Sequence, residues 1–190
     1  MNFFEYKFLV KSDLYRYCGN SNLALFVRMY AICPGFKYSF LMRSAIYIKQ
    51  KAPLKPLYYL LRLVISRLQY KYGISIPYNT KIGSGLYIGH FGGIVVSSDA
   101  EIGKNCNINH GVTIGATYGG KSPGVPRIGD NVYIGPGSFV IGGIVIGNDV
   151  AIGANTLVNK SIPDEAVVVG SPGGIISYKG SGAYIVNTNY

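Results

Sequence analysis

The chain has 190 residues, enough for one large core or for a solenoid with an appendage. Its 18 Lys and Arg residues against 8 Asp and Glu give a net charge of +10, and its three cysteines lack the paired spacing of a disulfide framework or a zinc motif. Charged residues interrupt the N-terminal stretch, which argues against a signal peptide, and no apolar run is long enough to span a bilayer. These features predict a cytoplasmic protein.

Charge and glycine content divide the chain at Gly73. Residues 1–72 carry 12 basic and 2 acidic residues, a net charge of +10, whereas the rest carries 6 of each. Of the 26 glycines, 24 lie at or after Gly73. We therefore expect a basic N-terminal region over 1–72, a glycine-rich domain over 73–172 and a C-terminal tail over 173–190.

The basic region has the apolar pattern and the breakers of a helical segment. Ser21 or Asn22 is placed to cap a helix over 23–32 that ends before Pro34. A second helix is predicted over 37–49, and a third, after two prolines, over 57–70 with its end at Gly73.

Two roles are compatible with this helical region. It is expected to cover the open end of the following domain. Its basic and aromatic composition also predicts attachment to an anionic membrane surface. A nucleic-acid partner is not predicted, because no recognised reading motif accompanies the positive charge.

An aliphatic residue recurs every six positions through the glycine-rich domain. The thirteen residues of this ladder are Ile76, Ile82, Ile88, Ile94, Ile102, Ile108, Ile114, Ile128, Ile134, Val140, Ile146, Ile152 and Val158. A six-residue period fits neither a helix nor an alternating strand, but it fits a solenoid with a triangular coil and one short strand on each side. The alternative is a β-sandwich with Ile-rich strands, and we expect the solenoid, in a mainly β protein.

The ladder is interrupted twice. Two extra residues between Ile94 and Ile102 predict a small bulge near Ser98–Asp99. Eight extra residues after Ile114 predict a projecting loop over 117–125, and such loops commonly carry binding residues.

The phase of the ladder places the two histidines together. His90 and His110 each follow a ladder residue by two positions, one coil apart, so they are expected about 4.8 Å apart along the axis. The same column continues with Pro136 and Ala154. A histidine in a turn often only bonds the backbone, and a metal pair lacks a third ligand within one chain, so no metal is expected.

Two segments carry a resemblance to a known family. Residues 89–96 (GHFGGIVV) and 109–115 (NHGVTIG), on the ladder, resemble the hexapeptide-repeat acyltransferases, in the branch of serine acetyltransferase and its relatives in capsule and O-antigen gene clusters. The resemblance implies a left-handed parallel β-helix, a homotrimer, and acetyl-CoA lying in a groove between neighbouring subunits.

The resemblance also implies roles for particular residues. His90 matches the family's general base, with His110 as the second candidate, while Ser75 stands where the family has an orienting aspartate. Gly124 and Val125 stand where the serine enzymes have an Arg-His pair for the substrate. From these departures we expect a sugar hydroxyl of a surface polysaccharide or its precursor as acceptor. Serine O-acetylation in cysteine biosynthesis and a non-catalytic scaffold are the alternatives.

Small residues and lysines complete the expected site. The pantetheine arm is expected to pass Ala116, Pro136 and Ala154, and the CoA phosphates to meet Lys160 or Lys121. Backbone N–H groups of Gly92 and Gly93, or of Gly111, are expected to face the substrate oxyanion. Cys106 falls on an inward position and is read as a small apolar filler.

Overall fold

The structure is a computed structural model that describes residues 1–190. Four helices come first: α1 Phe3–Cys18, α2 Leu23–Ile32, α3 Pro34–Lys49 and α4 Lys55–Tyr72, with a 3₁₀ turn Ala52–Leu54 before α4. None of them combines the length and the hydropathy that crossing a bilayer needs.

Local capping explains where the helices begin and end. The Asn22 side chain accepts a hydrogen bond from the Leu25 N–H at 2.9 Å, as expected for the start of α2. Pro34 does not merely end α2, because it is the first residue of α3, where a missing N–H costs nothing. Gly73 ends α4 in the left-handed conformation, with φ of 61°. Helix α1, for which the sequence pattern gave no boundaries, starts with a capping box between Asn2 and Glu5.

Fifteen short strands follow the helices. They are β1 Ile74–Ser75, β2 Lys81–Ile82, β3 Tyr87–Ile88, β4 Ile94–Val96, β5 Glu101–Ile102, β6 Asn107–Ile108, β7 Thr113–Gly115, β8 Arg127–Ile128, β9 Tyr133–Ile134, β10 Phe139–Ile141, β11 Val145–Ile146, β12 Ala151–Ile152, β13 Leu157–Val158, β14 Val167–Val169 and β15 Gly174–Ser177.

The strands form a three-sided parallel coil. Sheet A has the order β1-β4-β7-β10-β13, sheet B β2-β5-β8-β11, and sheet C β3-β6-β9-β12-β14-β15, in which only the last pair is antiparallel. All thirteen ladder residues are buried, so the predicted solenoid is confirmed. The expectation of a mainly β protein is wrong in part, because the helices take up about a third of the chain and each strand has only two to four residues.

Strand register moves the first interruption to a different corner. Ile88 pairs with Ile108, twenty positions on, but Val96 pairs with Ile114, only eighteen positions on. The two extra residues therefore lie between Ile88 and Val96, at the corner of His90, and not near Ser98–Asp99. The spacing misled because Ile94 and Val96 are both buried aliphatic residues, so either fits the ladder.

The helices are continuous with the interior of the coil. Tyr38, Leu41, Met42 and Ala45 of α3 and Ile65 of α4 belong to the same buried cluster as the ladder. Cys106 lies in that cluster as expected, and burial raises the pKa of its thiol to about 12.

Side chains from α1 and α3 pair with the backbone edge of the first coil. Arg43 donates to the Ile82 and Gly83 carbonyls at 2.7 and 2.6 Å, and Arg16 donates to the Gly85 carbonyl at 2.8 Å. In the opposite sense, Asp13, Ser12 and the Tyr17 hydroxyl accept hydrogen bonds from the N–H groups of residues 86, 85 and 88. The first coil has no preceding coil, so these side chains replace the strand that is missing.

An ion pair holds this edge together. Arg43 Nε lies 3.1 Å from Asp13 Oδ2, and both side chains are almost fully buried. Burial raises the pKa of the Asp13 carboxyl, and the Arg43 guanidinium acts against that rise. A buried charge of this kind is tolerated only when its partner is present.

The C-terminal tail returns along sheet C towards the helices. Tyr184 stacks on Tyr133 with ring centroids 4.4 Å apart. The Val186 carbonyl accepts a hydrogen bond from Arg16 at 2.8 Å, and the Tyr190 hydroxyl donates to Asn105 at 2.8 Å. Sheet C is therefore covered by the protein's own α1 and tail.

Removing one member of the buried ion pair should be costly. We expect Arg43→Met to lower the free energy of unfolding by about 3–5 kcal/mol, because Asp13 is left buried without its partner. Urea unfolding followed by circular dichroism measures the change. Lys81→Met is the matched control, because the Lys81–Glu101 pair is exposed to solvent and should contribute little to stability. Equal losses in the two variants would contradict the assigned role.

Candidate functional site

The two histidines lie on one corner of the coil, between sheets C and A. Strand register stacks Ile88 on Ile108, so His90 and His110 occupy equivalent positions on successive coils. Their ring centroids are 5.9 Å apart with an interplanar angle of 73°, and both side chains are exposed. Neither imidazole makes a hydrogen bond within the chain, so both nitrogens of each ring are open to a substrate or to a neighbouring molecule.

The inserted residues lie directly beside His90. Phe91 is 53% exposed, and its ring centroid lies 5.8 Å from that of Tyr72 at the end of α4. The backbone N–H groups of Gly92 and Gly93 donate no hydrogen bond. The N–H of Gly111 donates to the Gly92 carbonyl at 2.8 Å, so the expectation that Gly111 offers a free donor is wrong. The N–H groups of Gly92 and Gly93 are therefore open, whereas the N–H of the residue that directly follows His110 is bonded.

Ser75 is not brought to the histidines. It lies exposed on β1, in register with Val95, and makes no hydrogen bond to His90 or His110. No residue of the same chain orients either imidazole in the way that the family's aspartate is expected to do.

The projecting loop is closed by a backbone bridge. The N–H of each of Thr117 and Gly124 donates to the other's carbonyl, at 3.0 and 2.8 Å, and the Thr117 hydroxyl donates to the Ser122 carbonyl. Gly124 has φ of 126°, and a Cβ there would lie 3.1 Å from the Gly143 Cα. Val125 packs on the hydrophobic core. Local packing thus accounts for both residues that replace the family's Arg-His pair.

Both predicted lysines line one cavity. A cleft of about 580 Å³ lies between the loop and the last coils, and it is bounded by Thr117, Gly119, Gly120, Lys121, Ser122, Ile141, Leu157, Asn159 and Lys160. Neither Lys121 nor Lys160 forms an ion pair, so both ammonium groups are available to an anion. Asn159 was not predicted, although its position next to Lys160 would have pointed to it.

The remaining predicted residues fall into two groups. Pro136 and Ala154 continue the histidine column, since Ile134 pairs with Ile108 and Ile152 with Ile134. Ala116 lies at the other edge of sheet A, where β7 leads into the loop. Within one chain the outer face of sheet A therefore separates the histidine corner from the lysine cavity. The chain has no cluster of three or more His, Cys, Asp or Glu side chains suited to a metal ion.

Comparisons with known proteins agree with this architecture. Residues 126–160 match the family described as bacterial transferase hexapeptide (six repeats). A serine acetyltransferase from Staphylococcus xylosus is 38% identical over 143 residues, which covers 75% of this chain and 63% of the relative. The chain thus spans less than two thirds of the length of the curated relatives it matches.

Solved structures extend the match into the helices. Soybean serine acetyltransferase superposes with a TM-score of 0.73 at 30% identity, covering 90% of this chain and 69% of that one. Serine acetyltransferase from Brucella abortus in complex with coenzyme A gives a TM-score of 0.74 at 30% identity, covering 91% and 68%.

These matches correct the expected acceptor. The departures at Ser75, Gly124 and Val125 led us to expect a sugar hydroxyl of a surface polysaccharide. That expectation is wrong, because the similar proteins and structures are serine acetyltransferases and support the alternative reading instead. The coil, the histidine corner and the match to more than two thirds of these structures lead to one assignment. The chain belongs to the hexapeptide-repeat acyltransferase family that includes the serine acetyltransferases.

Proposed function

We propose that the protein is an acetyl-CoA-dependent O-acetyltransferase that acetylates the hydroxyl of serine. The observation that carries the proposal is the exposed His90, flanked by the free N–H groups of Gly92 and Gly93, on a coil that resembles serine acetyltransferases. We further propose a left-handed coil, a homotrimer and a cytoplasmic location.

The transfer takes place in two steps. A tetrahedral intermediate first forms as the serine hydroxyl loses its proton, and it then collapses as the CoA thiolate gains that proton. His90 accepts the proton of the serine hydroxyl while the oxygen attacks the thioester carbon of acetyl-CoA. The N–H groups of Gly92 and Gly93 meet the oxyanion of the tetrahedral intermediate. The C–S bond then breaks, and the CoA thiolate takes the proton from His90, which leaves O-acetylserine, CoA and neutral imidazole.

We propose that two subunits build each site. The histidine corner and the lysine cavity lie on opposite edges of sheet A, so within one chain the outer face of that sheet separates them. The outer face of sheet A carries exposed apolar side chains, including Val95 at 47% and Phe139 at 44%, which suit burial against a neighbour. In such a trimer the loop of one subunit reaches the histidine corner of the next.

The replaced residues then concern how serine is held. A serine bound without an arginine at position 124 lacks the bidentate partner that a carboxylate prefers. His90 without a carboxylate behind it has no fixed tautomer from its own chain. Under this proposal the neighbouring subunit supplies both the partner of the serine carboxylate and the group that orients His90.

The first prediction concerns the base. We expect acetyl-CoA and L-serine to release CoA, and His90→Ala to lower kcat at least about a hundredfold. His110→Ala should cost less, because the adjacent Gly111 N–H is already bonded. Thiol release is measured with a chromogenic reagent, with L-alanine, which lacks the hydroxyl, as the control substrate. An inert protein with serine, or a dead His110→Ala beside an active His90→Ala, would refute this assignment.

A second prediction tests the shared site. At an acetyl-CoA concentration below the native KM, His90→Ala subunits and subunits carrying Lys121→Glu and Lys160→Glu are each expected to show little activity as homotrimers. Co-expressed with different tags and purified as mixed trimers, they should regain activity, because some interfaces then combine an intact histidine with intact lysines. Mixed trimers as inactive as either parent would place the whole site within one chain.

The lysines should act on CoA binding and not on chemistry. We expect Lys121→Gln combined with Lys160→Gln to raise the KM for acetyl-CoA roughly tenfold, with kcat within about twofold, because charge-assisted contacts to phosphate are lost. Lys179→Gln, an exposed lysine of the tail, is the matched control. An unchanged KM in the double variant would remove both lysines from the CoA site.

A further inference from the structure

The outward face of α4 is apolar where a surface helix is normally polar. Tyr59 is 63% exposed, Leu60 56%, Leu63 53% and Tyr70 88%. Leu57, near the start of the helix, is 41% exposed. The inward face, with Tyr58 and Ile65, is the one that packs on the rest of the protein. Helix α4 therefore has two apolar sides, and only one of them is used by the fold.

Cations border this outward face and no acid accompanies them. Lys55, Arg67 and Lys71 are exposed, and neither Asp nor Glu occurs anywhere in α4. None of these three side chains forms an ion pair. Arg62, the fourth cation of the helix, is turned towards Tyr78, with its guanidinium carbon 5.3 Å from the ring centroid.

We propose that the outward face of α4 docks on an anionic lipid bilayer surface. Leucine and tyrosine side chains bordered by lysine and arginine are the composition of a helix that lies in the plane of the interface. The leucines enter the acyl boundary, the tyrosines lie at headgroup depth, and the cations meet lipid phosphates. The inference is independent of the acyl acceptor.

The charges favour a lipid surface over a contact between the α4 faces of two copies of the chain. Two α4 faces brought together would place three unpaired cations opposite three others with no acid between them. The helix has 18 residues, about 27 Å, but it is interrupted by charge and does not qualify as a membrane span, so it lies on the bilayer and does not cross it. Attachment to the bilayer surface buries the apolar side chains and pairs the cations with lipid phosphates.

Helix α4 reaches the histidine corner at its C-terminal end. Tyr72, the last residue of α4, contacts Phe91, which follows His90 directly. Tyr72 packs against the core on the inward side of α4, so this contact joins the end of the helix to the corner without placing the histidines on the outward face.

Vesicle flotation tests the proposal on the full-length protein. We expect the protein to float with vesicles of phosphatidylcholine and phosphatidylglycerol at low salt, to float much less in 0.5 M salt, and to stay unbound with phosphatidylcholine alone. No binding to the anionic vesicles would overturn the proposal.

Variants decide whether α4 is the contact. Leu60→Gln with Leu63→Gln, and separately Arg67→Gln with Lys71→Gln, should each weaken partitioning roughly tenfold or more without changing the melting temperature. The control exchanges one exposed apolar residue and one exposed cation elsewhere, Val145→Gln with Lys179→Gln, and should bind like the native protein.

Two further outcomes would count against it. Vesicle binding that is unchanged in the α4 variants would assign the lipid contact to another surface. A concentration-dependent rise in mass that the leucine variant abolishes, in a protein that ignores vesicles, would make α4 a contact between copies of the chain.

Discussion

The structure depends on what happens at the first edge of the coil. A parallel β-helix bonds each coil to the next, so its first coil has a row of carbonyl and N–H groups without partners. Here the side chains of α1 and α3 supply those partners, and the buried Asp13–Arg43 pair holds them in place. The helices are therefore more than an apolar lid. They complete the hydrogen-bonding pattern of the coil, which is why the basic region carries its only buried acid at this point.

Sequence periodicity predicted the repeated inward positions of the coil but missed the insertion and the contacts between distant segments. The six-residue ladder was enough to place thirteen buried Ile and Val residues of the coil, since each coil side needs an inward aliphatic residue. The position of the two-residue insertion was missed, because Ile94 and Val96 satisfy the ladder equally well and only the pairing of Val96 with Ile114 decides between them. The contacts of Arg16 and Arg43 were also out of reach, because they join residues about 40 to 170 positions apart.

The site was predictable to the same extent. The histidine column follows from phase alone, and strand register places it as expected. The acceptor was misjudged because Gly124 and Val125 were read as lost binding residues, whereas one allows a close backbone approach and the other packs on the core. Sequence comparison within a loop cannot separate a residue lost from binding from one recruited for packing. The lysine cavity needed coordinates, because Lys121 and Lys160 come from different coils.

The course of the tail connects the two ends of the chain, which an open solenoid leaves independent. An open solenoid behaves as a line of neighbours, and its ends can loosen without disturbing the middle. In this protein Arg16 of α1 holds the Val186 carbonyl, and the Asn187 side chain donates to the Arg16 carbonyl, so the last segment is fastened to the first. Fraying at either end must release the other as well. The contacts between the tail and α1 thereby connect the two ends of the chain. This connection favours a single cooperative melting transition over gradual unwinding from the ends.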